Sequence, residues 1–291
     1  MLGAIIGDIV GSRFEFYPSN DYNFVLFHPE CEYTDDTICT IAIADAIIKR
    51  KDFGRSLQKW CRRYPDPMGG YGESFLCWVW DNHPSPYGSF GNGAAMRVSP
   101  VGWVNQSEKC MLRMARKSAA CTHNHPEGIK GAETVARLIY EINKSRKNNA
   151  ELTNKDVNRI LNKCATIAGY NIDIVEADVR NKFDVTCQGT VPVALWIIRE
   201  STSFEDALRK AVSLGADADT LGAIVGSIAE AIWGIPYEIQ VEALNRLPED
   251  IKKVVVRFYK RYIRDSYVAG LDDGVGDDWC SFVVKFIKWL F

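Results

Sequence analysis

Two short acidic clusters carry the residue types that chemistry needs. Tyr33-Thr-Asp-Asp-Thr37 and Asp217-Ala-Asp-Thr220 each combine two carboxylates with a hydroxyl, and each stands where a polar loop gives way to an apolar run. Helix N-capping with a favourable charge–dipole interaction accounts for one acid at each place and contributes about 1 kcal/mol. The remaining acids need another reason. Positions i and i+2 do not share a helix face, so Asp217 and Asp219 converge only where the chain is still turning, with Asp219 or Thr220 as the cap. Four carboxylates brought together repel one another at low dielectric unless a hard cation neutralises them. Carboxylate, hydroxyl and water oxygens suit Mg²⁺ or Mn²⁺ rather than Zn²⁺. Spacing alone leaves two readings open: two unrelated caps, or one metal site built from both clusters.

Four further segments hold candidate groups. Glu15 ends the glycine-containing stretch Gly7-Asp-Ile-Val-Gly-Ser-Arg-Phe-Glu15, where a free carboxylate could bind metal-bound water or act as a base, against the plain alternative of a surface glutamate. Ser89-Phe-Gly-Asn-Gly-Ala-Ala-Met-Arg97 sets small residues around Asn92 ahead of a helix start near Ala94. Such a loop lets backbone N–H groups approach phosphates, although no Gly-Lys-Ser/Thr follows and a simple tight turn fits equally. Cys121-Thr-His-Asn-His-Pro-Glu-Gly128 concentrates two of the four histidines; no spacing supplies zinc partners, so a polar loop that hydrogen-bonds a sugar or phosphate is the better reading. Tyr71, among glycines, could stack on a base or be an ordinary turn tyrosine.

The elements that must position these groups read as helices. Leu221, Ile224, Val225, Ile228, Ala229 and Ile232 follow a helical stripe, and similar stripes follow Thr37, Gly128 and the Ser203-Phe-Glu-Asp206 cap. Only short pieces such as Asn23–Phe27 resemble strands. The expected fold is all-α, a compact single-domain orthogonal helix bundle spanning residues 1–291. The polar stretch Lys144–Lys155 is expected as a surface loop, and the apolar tail after Gly276 as a docked terminal helix.

Composition sets the remaining bounds. With 47% hydrophobic and 25% charged residues and a net charge of −2, the chain resembles a soluble globular protein without the basic field that nucleic acid requires. The nine cysteines are scattered and never spaced CxxC, which suits a reducing cytoplasm rather than a disulfide framework. The apolar N-terminus lacks a basic leader and meets Asp8 early, and the run LGAIVGSIAEAIWGI is interrupted by Glu230 and too short to span a bilayer. A cytoplasmic monomer with no membrane partner is expected.

Taken in order, GAIIGDIVGSRFE, YTDDT, SFGNGAAMRVSPVGW, THNHPEGIKGA, QGTVPVALW and GADADTLGAIVGSIAEAIWG resemble the ADP-ribosylglycohydrolase family, from Met1 to about Pro236. No single motif is specific, but the ordered set is. The resemblance implies a compact all-α domain around two Mg²⁺ or Mn²⁺ ions, with Thr34, Asp35, Asp36, Asp217, Asp219 and Thr220 as ligands. It also implies Glu15 as the catalytic or metal-gating glutamate, placing Glu15, Asp36 and Asp219 as the catalytic carboxylates. Gly91, Asn92, Gly93, Ala94 and Met96 would contact the diphosphate and distal ribose, with His123 adding a contact and Tyr71 completing the expected substrate set.

The implied activity is hydrolysis of the bond between ADP-ribose and a modified group, with ADP-ribosyl-arginine on protein the first choice. ADP-ribosyl-serine, O-acetyl-ADP-ribose or another small ADP-ribose conjugate are the alternatives. Alanine at Ala94 and Ala216 stands where some members carry glycine or asparagine, which bears on linkage preference. Two other readings compete: metal-dependent phosphodiester or pyrophosphate hydrolysis, and a non-catalytic, crystallin-like structural role, against which the six ligand positions and Glu15 speak.

Overall fold

The computed structural model of the chain describes residues 1–104, 107–148 and 152–263. In chain order the helices are α1 (Leu2–Gly11), α2 (Asp35–Lys49), α3 (Phe53–Arg63), α4 (Glu73–Trp80), α5 (Gly93–Met96), α6 (Ser99–Trp103), α7 (Glu108–Ala120) and α8 (Pro126–Asn148). They continue as α9 (Asn154–Ala168), α10 (Glu176–Val179), α11 (Cys187–Arg199), α12 (Phe204–Ser213), α13 (Ala218–Trp233), α14 (Tyr237–Asn245) and α15 (Glu249–Tyr262). Among the described residues β structure is limited to two isolated bridges, Thr34 with Met68 and Gly91 with Thr186. The all-α expectation holds.

The core is organised around α1 and α13, whose residues are almost all buried. They run antiparallel in tight register, with Gly3 opposite Gly226, Gly7 opposite Gly222 and Gly11 opposite Ala218. A Cβ at Gly7 would overlap the Gly222 carbonyl, and one at Gly222 would lie 2.5 Å from the Gly7 oxygen. Glycine costs a helix about 1 kcal/mol relative to alanine, so its recurrence every fourth residue marks a contact where backbone meets backbone. That contact sets Asp8, next to Gly7, beside the start of α13.

The structure shifts several expected boundaries. α13 begins at Ala218 with Asp217 as N-cap residue, so Asp219 is already helical and neither Asp219 nor Thr220 is the cap. Asn23–Phe27 is turn rather than strand. Among the described residues no strand lies beside it, and its carbonyls are taken instead by arginines, Arg209 to Phe24 at 2.8 Å and Arg246 to Phe27 at 3.3 Å. Within Lys144–Lys155, residues up to Asn148 still belong to α8, and α9 begins at Asn154 behind a Thr153–Asp156 capping box, so the connection is shorter than the polar stretch. The expected terminal helix after Gly276 lies outside the described residues.

Candidate metal centre

Three carboxylates from three helices meet at one end of the α1–α13 pair. Asp8, Asp36 and Asp219 are buried and each places an oxygen within 4.8 Å of the others. Asp8 is missing from the set expected on sequence grounds, yet its signal is present: it is the lone ionisable residue of α1, a helix otherwise built of apolar residues and glycine.

Asp8 also shapes the first acidic cluster. It accepts from the backbone N–H groups of Thr34 and Thr37, both at 3.0 Å, from the Thr34 hydroxyl at 2.7 Å and from the Thr37 hydroxyl. The Thr34 hydroxyl in turn accepts from Asp36 N at 3.3 Å, which caps α2. Capping and site-building are therefore done by the same residue. Asp36 Oδ2 accepts from the Thr220 hydroxyl at 3.0 Å, whereas its Oδ1 is buried with no hydrogen-bond partner. Asp217 accepts from Asn92 Nδ2 at 2.7 Å and hydrogen-bonds Asp219, while Asp35 is half-buried beside the trio.

The electrostatics follow from crowding. Burial pushes the carboxyls of Asp35, Asp36, Asp217 and Asp219 upward, and for the first three the charge on Asp219 adds to it. Asp8 is pushed up to about 7, by burial first and Asp219 second, against the hydrogen bonds from Thr37 and Thr34. Glu15, half-exposed at the rim, is pushed up to about 8 by burial, then by Asp219 and Asp8. Its carboxylate lies over Gly69, whose φ of +77° favours glycine and where a Cβ would overlap Glu15 Oε2. Without added positive charge, this site retains protons.

The glycine loop approaches from the other side. Asn92 bridges it to the acids, donating to Asp217 and, at 3.1 Å, to the Thr190 hydroxyl of α11. Its backbone N–H is held by the Val185 carbonyl at 2.7 Å. Gly91 and Gly93 face His123: a Cβ there would come within 3.4 and 3.1 Å of His123 Nε2. The side chains of Ala94 and Met96 are buried in the core. His123 is 5% exposed, and burial, followed by the charge of Arg97, holds its ring well below the usual histidine range, hence neutral. Tyr71 is half-buried, its ring tilted against Phe75 and its hydroxyl donating to the Tyr64 carbonyl at 2.7 Å. A cavity of about 190 Å³ adjoins Asp217, lined also by Lys182, Thr190, Val193, Ala216 and Leu221.

Comparison with known proteins places the chain in a family and a fold. Residues 1–267 match the family profile described as ADP-ribosylglycohydrolase, so the match extends past Pro236 and through α14 and α15. The chain is 25% identical to the ADP-ribosylarginine hydrolase Tri1 of Pseudomonas putida (strain GB-1), over 81% of this chain and 70% of that one. It is 23% identical to the ADP-ribosyl-[dinitrogen reductase] glycohydrolase of Rhodospirillum rubrum, over 93% and 95%. A solved chain described as an ADP-ribosylglycohydrolase-related protein complex superposes with a TM-score of 0.65 at 24% identity, covering 89% of this chain and 95% of the other, a likeness of fold. No helix among the described residues is long and apolar enough to cross a membrane.

Proposed function

We propose, from the premise that this chain belongs to the ADP-ribosylglycohydrolase family, that it is a divalent-cation-dependent hydrolase releasing ADP-ribose from arginine side chains. Hydrolysis of an ADP-ribose conjugate is what its relatives' names describe, and the arginine linkage is favoured by the Pseudomonas putida relative.

The observation that carries cation dependence is the buried trio of Asp8, Asp36 and Asp219 with Asp36 Oδ1 left unpartnered. Buried carboxylates this close cannot all ionise unassisted, and an orphaned buried oxygen costs about 1–3 kcal/mol unless something positive occupies its other side. The donor set is wholly oxygen, which fits Mg²⁺ or Mn²⁺. Asp8, Asp36 and Asp219 would hold such an ion, with Asp35, Asp217, Thr34 and Thr220 in reach of a second. When bound, the cations supply charge neutralisation and Lewis-acid polarisation.

The remaining work falls to the chain. Asn92, fixed between Thr190 and Asp217, and the glycine loop orient the distal ribose and diphosphate over the acids. Glu15, half-exposed at the rim beside the acids, handles the proton. The water oxygen bonds to C1 of the distal ribose, the C1–N bond to the guanidine breaks, Glu15 gives its proton to the leaving nitrogen and recovers one from the water.

A turnover panel over ADP-ribosyl-arginine, ADP-ribosyl-serine and O-acetyl-ADP-ribose, with and without Mg²⁺ or Mn²⁺, tests this reading. Free ADP-ribose should appear from the arginine linkage only with a cation present, and Asp219→Ala should abolish it while leaving the helical circular dichroism intact. Undiminished turnover in chelator or in Asp219→Ala refutes the cation site. AMP plus a ribose phosphate would assign pyrophosphate hydrolysis instead, and no turnover anywhere would assign a structural role.

A further inference from the structure

Among the described residues Arg97 is the largest fully buried side chain, 1% exposed, and it has no carboxylate partner. An unpaired buried guanidinium is costly, and it is placed where it touches both loops of the site. It follows directly from the glycine loop as the C-cap of α5, and its Nη2 reaches the histidine loop, donating to the Thr122 hydroxyl at 2.7 Å and to the Ser118 carbonyl at 3.1 Å. The Thr122 hydroxyl lies 2.7 Å from His123 Nδ1.

The direction of that last bond follows from counting protons. A hydroxyl has one hydrogen to give, and Arg97, a donor only, leaves it free to be given away. Two oxygens or nitrogens are in range. The Ala119 carbonyl is 3.5 Å distant and already accepts from the backbone N–H groups of Thr122 at 3.1 Å and His123 at 2.8 Å, which fills both lone pairs. The Cys121 sulfur is a weak acceptor that itself donates to Ser118. His123 Nδ1 is the acceptor that remains, and so the ring proton sits on Nε2, the atom facing Gly91 and Gly93.

We infer that Arg97, acting through Thr122, fixes His123 as a neutral donor whose Nε2–H faces the glycine loop, selecting a ligand oxygen that can only accept, such as a phosphoryl oxygen, where a ligand lies along that loop. Arg97 and Thr122 are positioning residues. The tautomer stands on the geometry alone, while the ligand's identity as the diphosphate of ADP-ribose rests on the function proposed above. Burial, and after it the charge of Arg97, also opposes protonation of the ring, so the donor persists without carrying charge.

Long-range proton–nitrogen NMR on ligand-free protein labelled at its four histidines reads the tautomer directly, with His123→Gln identifying the signal. The expected pattern is a bare, hydrogen-bonded Nδ1 and a protonated Nε2. Thr122→Val should move the Nδ1 resonance toward that of an unbonded nitrogen, and Thr122→Ser should restore it. A proton on Nδ1, a doubly protonated ring at neutral pH, or an Nδ1 resonance unchanged in Thr122→Val overturns the inference. With ADP-ribose as probe, Thr122→Val should bind about tenfold more weakly by calorimetry, the worth of one good hydrogen bond, and Thr122→Ser should bind like the parent. Equal affinity in Thr122→Val refutes the donor role. Absence of binding by the parent protein would sink the proposed function and leave the NMR result standing.

Discussion

Stripping divalent cations and raising the pH should unfold this protein more easily, and returning the cation should reverse the effect. Asp8 shows the size. Its carboxyl rises from an ordinary 3.8 to about 7, with burial the main cause and Asp219 next. A folded-state value above the unfolded one means that the folded chain keeps a proton the unfolded chain has released. The stability associated with that proton is fully present below pH 4 and is lost as the pH climbs through about 7. Full ionisation of Asp8 alone therefore costs on the order of 4 kcal/mol, against a net stability of about 5–15 kcal/mol for a typical domain. Asp36, Asp217 and Asp219 are shifted the same way and extend the loss. The assay is the melting temperature from pH 5 to 8.5, once in chelator and once in millimolar Mg²⁺ or Mn²⁺. In chelator it should fall steadily with pH; with cation the slope should flatten, and calorimetry in buffers of different ionisation enthalpy should detect protons released on binding. A chelator curve flat across that range, or cation binding without proton release, would refute the electrostatic account of the site.

Gly222→Ala should force α1 and α13 apart where a Cβ meets the Gly7 oxygen, costing about 1–3 kcal/mol of stability and weakening cation affinity by separating Asp8 from Asp219; unchanged melting and unchanged affinity would contradict the positioning role of this contact. Glu15→Gln should lower turnover by about 10²–10⁴ while ADP-ribose affinity stays nearly constant, and Gly69→Ala should impair turnover in the same direction by displacing the Glu15 carboxylate; parental kcat in both would remove Glu15 from proton transfer.

The helices and both acidic turns are legible in the sequence because apolar periodicity and short polar punctuation are local signals. Ser203 caps α12 as its spacing predicts, with Asp206 N donating to its hydroxyl at 3.1 Å. What the sequence hides is partnership. Asp8 looks like an interruption in an apolar run until α13 is laid against α1, and only then does it become the acceptor for Thr34 and Thr37 and the third member of the trio. The start of α13 is legible only to within two or three residues, because acids and threonine serve equally as caps and as first-turn residues. Arg97 gives no sequence signal at all: an arginine after a glycine loop reads as exposed, and its burial depends on the Ser118 and Thr122 acceptors that another helix end supplies.

The three acids belong to α1 and α2, which the chain makes first, and to α13, which it makes much later; the Thr220 hydroxyl and the Asp36 carboxylate it serves are 184 positions apart. No segment of the chain taken singly contains a coordinating set, so a partly assembled protein offers an ion scattered weak ligands rather than a site. Occupancy would then report that the first helix has found its late-arriving partner, and the ion would act as a clasp on a long closure of the chain.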